Sequence, residues 1–495
     1  MALSLLLGAS SARAQPTETE QPAAATSPPT VDLEAVLRGE GRGLTADSAA
    51  ERAMRTAPGV DRARAGVRVA GAGADRVLYN FIPQLTLSFR YTRLSEIQNA
   101  VLFSGPSIDE EDIPAIVSGV DDPDARFLWE QTLRAQVAQA NYRFPVLLDG
   151  YAFRASLLFP LSDVFLTILP AYEAAQENVS ASRHQVSAAL EDVAYNAREA
   201  FYNYARARGG LAVAQIALEQ AEARHRQIQA FVAAGTAAPV DEMRMRAQVA
   251  AARVALARVT GQVRVAATAL RTLLHLEDDA QLAVAEDVLG PLPELPAAPE
   301  VLVERALRDR EDVRALETLM RAAGHQITSA EGSRYPRIGL SANLDVANPN
   351  QRIFPPTQEF RESWDVSAVV SWSPHDLLNG ESQASEARAR RDEVEANLRA
   401  LSDGIRVQVI EAATTYEAAR ESLDAARLGV TAAEENNRVQ MERFRAGAST
   451  ITEVTDAQAE LVRAQLDLIN SAIDARVAWA RLGRALGTGA PPERP

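Results

Sequence analysis

The sequence has no cysteine and no lysine, and each absence removes a class of chemistry. Without cysteine there are no disulfides, thiolate nucleophiles or thiolate metal sites, and no lipidated N-terminal cysteine. Without lysine there is neither a Walker-type phosphate loop nor a Schiff base, and all 51 basic residues are arginine. Aromatic residues are scarce at 5%, although hydrophobic residues reach 47% of the 495 positions. Alanine and short aliphatics carry that apolar count, which suits long, closely packed helices better than sandwiches or propellers. The 66 acidic residues give a net charge of −15, so nucleic-acid binding is disfavoured. Five histidines, at positions 184, 225, 275, 325 and 375, form no His-Glu-x-x-His and no i, i+4 pair, and each is read as a surface residue. With no Gly-x-Ser-x-Gly either, no enzyme activity, catalytic residue, metal or cofactor is expected. Long apolar runs are missing too: even residues 156–172 contain Asp163 and two prolines, short of the ~20 apolar residues of a spanning helix.

Residues 1–14 combine a short apolar run with Ala12-Arg13-Ala14, the small-x-small pattern of a signal peptide, so export is expected. Residues 15–43 read as a flexible linker, with Gly39, Gly41 and Gly43 at its end. Helical pattern begins at Thr45.

An internal repeat organises the rest. At an offset of 253, Glu51-Arg52-Ala53 aligns with Glu304-Arg305-Ala306, Gly71 with Gly324 and Pro83 with Pro336. At an offset of 212, Met245, Val249, Ala252, Leu256, Val259, Val263, Ala266 and Leu270 align with Ala457, Leu461, Ala464, Leu468, Ser471, Ala475, Ala478 and Leu482. The four-three spacing is a heptad seam, and it assigns Met245 of Met243-Arg244-Met245 to the core. Two repeats follow, residues 44–290 and 291–487, with a disordered tail at 488–495. Each reads as short helix, strand, loop, strand, long helix, glycine turn, helix. Long helices are expected over 173–231 and 381–444, and shorter ones over 45–79 and 241–274. Extra sequence in the first repeat, with Asp109-Glu110-Glu111-Asp112 and Asp121-Asp122-Pro123-Asp124, lacks EF-hand spacing and is expected to be a solvated loop.

The strands alternate at membrane-spanning length. Leu85, Leu87, Phe89 and Tyr91 share one face of 84–93, as do Ile338, Leu340 and Leu344 of 337–346. A third strand carries Trp364, Val366 and Trp372, with tryptophan at either end as an interfacial girdle requires. The first repeat's second strand falls in either 138–144 or 153–159. Four strands cannot close a barrel and open edges cannot face lipid, so several chains must pool theirs: two would give a filled barrel, three a channel.

This order of elements resembles the TolC-like outer-membrane efflux family over roughly residues 44–487. The resemblance is carried by Leu302-Val303-Glu304-Arg305-Ala306-Leu307 with Arg310-Glu311-Asp312-Val313 as a helix opening, and by Ile82-Pro83-Gln84-Leu85 and Tyr335-Pro336-Arg337-Ile338 as strand entries. Leu378-Asn379-Gly380 is similar to its strand exit, and Phe231 with Gly235 and Phe444-Arg445-Ala446-Gly447 to its hairpin tips. The resemblance implies a homotrimer: a twelve-stranded outer-membrane barrel continued by an α-helical periplasmic barrel. It would be a passive conduit for solutes or proteins exported by an inner-membrane pump through a periplasmic adaptor.

Two sites follow from that expectation. Gly235 and Thr236, with Gly447, Ala448 and Ser449, are expected as adaptor-docking tips, a plain tight αα-turn being the competing reading. Glu453 and Asp456, three apart beyond the second tip, share a helix face and with Phe444 and Asp241 mark the periplasmic aperture. Thr450-Ile451-Thr452-Glu453 is also a capping box, which competes for Glu453. The alternative to a conduit is a structural periplasmic coiled-coil protein whose strands are small docking sheets.

Overall fold

The computed structural model describes residues 43–96, 108–140, 147–277, 282–354 and 356–489. The expected signal peptide, linker residues 15–42 and tail residues 490–495 lie outside the described residues.

The element order is α1 (Ala46–Thr56), α2 (Pro58–Leu78), β1 (Gln84–Arg93), α3 (Ile113–Val117), α4 (Pro123–Ala140), β2 (Asp149–Phe159), α5 (Leu169–Ala233), α6 (Pro239–Leu274), α7 (Pro299–Asp309), α8 (Glu311–Gly332), β3 (Arg337–Asn348), β4 (Arg361–Ser371), α9 (Pro374–Arg445) and α10 (Ile451–Leu486). The long helices reach 65 residues in α5 and 72 in α9. No described helix is long and apolar enough to cross a membrane. The chain divides into two compact units, one of residues 43–50, 197–294 and 415–479, the other of 51–196, 295–414 and 480–489.

In the first unit the heptad seam is the packing surface: every seam residue of α6, and of α10 up to Ala478, is buried or half-buried. Gly210 of α5 lets α6 come close, its missing Cβ lying 3.7 Å from Val259. The connection after α6 is pinned to the helices. Gly43 sits where a Cβ would lie 2.4 Å from the Ala283 carbonyl oxygen, so only glycine permits the Leu44–Val284 bridge beside it. Glu286 accepts from Tyr202 Oη at 2.8 Å and the Ala46 amide at 2.9 Å, and Arg476 lies 3.4 Å from it. Burial first, then the Glu286 carboxylate, holds the Tyr202 phenol well above its ordinary value.

In the second unit α2 lays Ala57 and Val60 against Val186 and Leu190 of α5. The helix expected over 45–79 is broken at Ala57, and α7 and α8 are broken at Arg310, the aligned position. Both residues are extended, with ψ of 127° and 132°. Pro58 explains the first break, since proline is favoured in a first turn and disfavours helix in the residue before it. At the second, Arg310 pairs with Asp312 and donates to the Ala485 carbonyl at 3.3 Å.

Three expectations are corrected. The acidic insert is helical in its described part: Ile113 and Val117 of α3 pack on Leu133 and Val137 of α4, while the acids lie at helix starts, where they favour the dipole. Leu378-Asn379-Gly380 lies inside α9, and a Cβ on Gly380 would meet Ser333 Oγ at 2.7 Å, so this glycine serves close packing. His184 and His325 pair with Glu311 at 2.6 Å and Glu173 at 2.9 Å, and are partners in helix contacts.

Candidate functional site

The sheet of the second unit is antiparallel in the order β1-β2-β3-β4, leaving one edge of β1 and one of β4 unpaired among the described residues. Its register sorts the side chains. Leu85, Phe89 and Tyr91 stand opposite Leu157, Phe153 and Tyr151. Ala155 and Phe159 stand opposite Leu344 and Leu340, and Ile338, Ala342 and Leu344 opposite Val370, Val366 and Trp364. Every strand residue expected on the apolar face, Leu87 included, therefore shares one face of one sheet. Trp372 continues that parity just beyond β4. The face is uncovered in the single chain, with Leu85 63%, Leu87 61% and Phe89 69% exposed. So continuous an apolar surface marks a contact with lipid or protein.

The opposite face is polar and internally paired. Arg154 Nε donates to Asp345 at 2.6 Å, Asn343 to Asp365 at 3.0 Å, and the Ser341 and Ser367 hydroxyls meet at 2.8 Å. The second strand is Asp149–Phe159, which contains 153–159; of the competing segment, 138–140 ends α4 and 141–144 lies outside the described residues. Its alternating Tyr151, Phe153 and Leu157, closed by Pro160, is the signal that identifies it.

The tips lie in the first unit. Gly235 and Gly447 have φ of 73° and 72°, the left-handed region open to glycine without strain. At each, the amides of the glycine and its successor return to the preceding turn: Gly235 to Val232 (3.0 Å) and Thr236 to Phe231 (2.9 Å); Gly447 to Phe444 (3.0 Å) and Ala448 to Arg443 (2.8 Å). Both are Schellman caps, and among the described residues nothing beyond the adjoining chain lies within 4 Å of where a Cβ would sit on either glycine. Thr236 and Ala448 are exposed and Ser449 is half-buried.

Behind the turns, Phe444 and Val232 pack on Ile228, Met245 and Ile451, and the Phe231 and Phe444 rings lie 6.5 Å apart. Met245 is 1% exposed, and burying such a side chain stabilises by about 1.5–3 kcal/mol. Phe444 therefore joins the two hairpins. Arg244 joins them as well: it lies 3.4 Å from Asp241 and 3.3 Å from Thr452 Oγ1.

Glu453 is drawn into its own helix start. Its carboxylate accepts from the Thr450 amide at 2.7 Å and from Ser449 Oγ at 2.6 Å, and its amide reaches Thr450 Oγ1 at 3.4 Å, a complete capping box. Those bonds, Ser449's first, hold the carboxyl below the ordinary carboxylate value. Asp456 is exposed, and its side chain makes no hydrogen bond or ion pair among the described residues.

The same arrangement of elements occurs in solved membrane-protein structures, an outer membrane channel among them. CusC is similar with a TM-score of 0.70 and 16% identity, over 89% of this chain and 91% of that one. A membrane protein from Pseudomonas aeruginosa gives 0.69 and 20%, over 95% and 96%. The open state of the MtrE channel from Neisseria gonorrhoeae gives 0.69 and 17%, over 90% and 89%. The fold is thus that of these membrane proteins. Residues 302–488, from α7 to the end of α10, match the family described as outer membrane efflux protein. The resemblance to the TolC-like outer-membrane efflux family is borne out by both findings. No curated protein sequence matches the chain.

Proposed function

We propose that the chain is the outer-membrane component of a tripartite efflux or type I secretion system, a passive conduit reaching into the periplasm. The observation that carries this reading is the sheet: one face continuously apolar, the other polar, both outer edges unpaired. Unpaired edges are costly in lipid, so the strands must be completed by other copies. Three copies make a twelve-stranded barrel with a water-filled interior, the apolar residues facing lipid. The helices continue the path in the periplasm. The Schellman turns, with bare backbone around Gly235, Thr236, Gly447, Ala448 and Ser449, receive a periplasmic adaptor that couples the conduit to an inner-membrane pump. Threefold symmetry gathers Asp456, with Glu453 and Asp241, at a cation-favouring aperture. Transport is the function, without a catalytic step.

Cell fractionation tests the reading. A conduit sediments with outer membrane and needs detergent for extraction. Release of soluble protein by osmotic shock alone would favour a structural periplasmic coiled coil instead.

A further inference from the structure

The polar face of the sheet carries more positive charge than negative, in a chain whose net charge is −15. The register puts Arg90, Arg154, Arg337 and Arg361 on that face, with Asp345 and Asp365 as the acids beside them. Both aspartates are taken. Asp345 accepts from Arg154 Nε at 2.6 Å, and Asp365 accepts from Asn343 at 3.0 Å and from Arg352, on the connection after β3, at 3.2 Å. Arg361 pairs with Glu359 at 2.8 Å. The Arg90 side chain has no carboxylate partner among the described residues, and the Arg154 guanidinium bonds among them through Nε alone. Arg90 stands opposite Ala152, and Ala152 opposite Ala347, so the floor beside the arginine is made of methyl groups. At this end of the sheet, away from the helices, is a cavity of about 550 Å³ whose charged lining residues are Arg90, Asp149, Arg154, Asp345, Arg352 and Asp365. Asp149 is held by Arg93 at 2.6 Å and by Tyr91 Oη at 2.9 Å. Every carboxylate there already has an arginine, and Arg90 is the surplus charge.

An identical copy carries the same surplus, so closing the barrel with further copies multiplies it and does not cancel it. Positive charge in a confined polar space attracts anions, and a guanidinium presents paired donors that fit two oxygens of a carboxylate, sulfonate or phosphate. Arg154 is two residues along β2 from the position opposite Arg90, a diagonal separation of roughly 7–8 Å that two long side chains close around one small anion. We propose that this cavity is an anion site, with Arg90 and the terminal amines of Arg154 as its binding groups, and that it takes the anionic group of a small organic solute moving through the conduit. Asp345 holds the Nε edge of Arg154 and leaves the other edge for the ligand, while the alanine floor admits the body of the solute. The inference rests on the conduit reading and gives it a cargo preference, opposite in sign to the proposed aperture.

Single-channel recording of the purified oligomer in planar bilayers tests this, with trimesate, a benzene ring carrying three carboxylates, as the probe. The trianion is expected to interrupt the current reversibly, and its uncharged triamide to leave the current unchanged. Arg90→Gln removes the charge from an exposed residue whose side chain has no partner among the described residues, so the fold does not depend on it. That variant is expected to raise the half-blocking concentration of trimesate several-fold, while Arg90→Lys stays close to wild type. Equal half-blocking concentrations in wild type and Arg90→Gln, or no block of a conducting wild type, would overturn the inference and leave the conduit standing. Equal block by the triamide would do the same, since size alone would then explain it. An oligomer that forms no conducting pore would overturn the conduit reading itself, and this inference with it.

Discussion

Leu344 stands directly opposite Trp364 on the apolar face, while their neighbours Asn343 and Asp365 are hydrogen-bonded at 3.0 Å on the other face. One residue of register thus separates a surface suited to hydrocarbon from one suited to water. Leu340→Arg is expected to cost about 2–4 kcal/mol if it lies near the bilayer midplane, and Ser341→Arg to be tolerated. The yield of heat-resistant oligomer in outer-membrane fractions checks this. Equal loss from both substitutions would contradict the assignment of faces.

At the tips, Gly235→Ala and Gly447→Ala each force a side chain into left-handed backbone, costing roughly 1 kcal/mol. Because both turns are exposed, assembly is expected to survive with a lower melting temperature. Ala448→Trp adds bulk with no change of φ and is expected to abolish export while the oligomer stays intact. Normal export from that variant would remove adaptor docking from the tip.

Glu453 and Asp456 are expected to separate in function. The Glu453 carboxyl is held down by Ser449 and Thr450, so its contribution to stability is present above the unfolded carboxylate range and lost as pH falls through the folded value. Glu453→Gln should therefore lower the melting temperature at neutral pH, and the gap from wild type should close on acidification. Asp456→Ala should leave stability unchanged and reduce the cation selectivity of single channels in planar bilayers. A selectivity change in Glu453→Gln alone would reverse these roles.

Glu191, on α5 in the second unit, shows the opposite sign. Burial, and then the Glu311 carboxylate, push its carboxyl up to about 7 from 4.5. The folded chain holds a proton there that the unfolded chain has released, so this site costs stability as pH rises from 4.5 to about 7. Glu191→Gln is expected to raise the melting temperature above that window and to leave it unchanged below. A shift of equal size at both ends would assign the effect to packing.

Legibility in the sequence followed the range of the interactions. β1 is Gln84–Arg93, the residues its alternation marked, because a strand with one apolar face writes its period locally. The turns at Gly235 and Gly447 were legible for the same reason, since left-handed backbone selects glycine. The helices of the insert were obscured by their own acids, although Leu133 and Val137, four apart, carry the helical spacing. The break at Arg310 has no proline to announce it and depends on Asp312 and the distant Ala485 carbonyl. Arg244 was invisible as a link because its partner Thr452 is 208 residues away. The surplus charge of Arg90 likewise needs the sheet register, which matches Arg154 with Asp345, before it acquires meaning.

The central claim is that one chain supplies a third of a closed barrel. Native mass spectrometry of the detergent-extracted outer-membrane complex measures this directly. Three copies of the chain per particle are the expected result, because four strands with two open edges must be completed by others. A particle of a single chain, stable without detergent, would contradict the account.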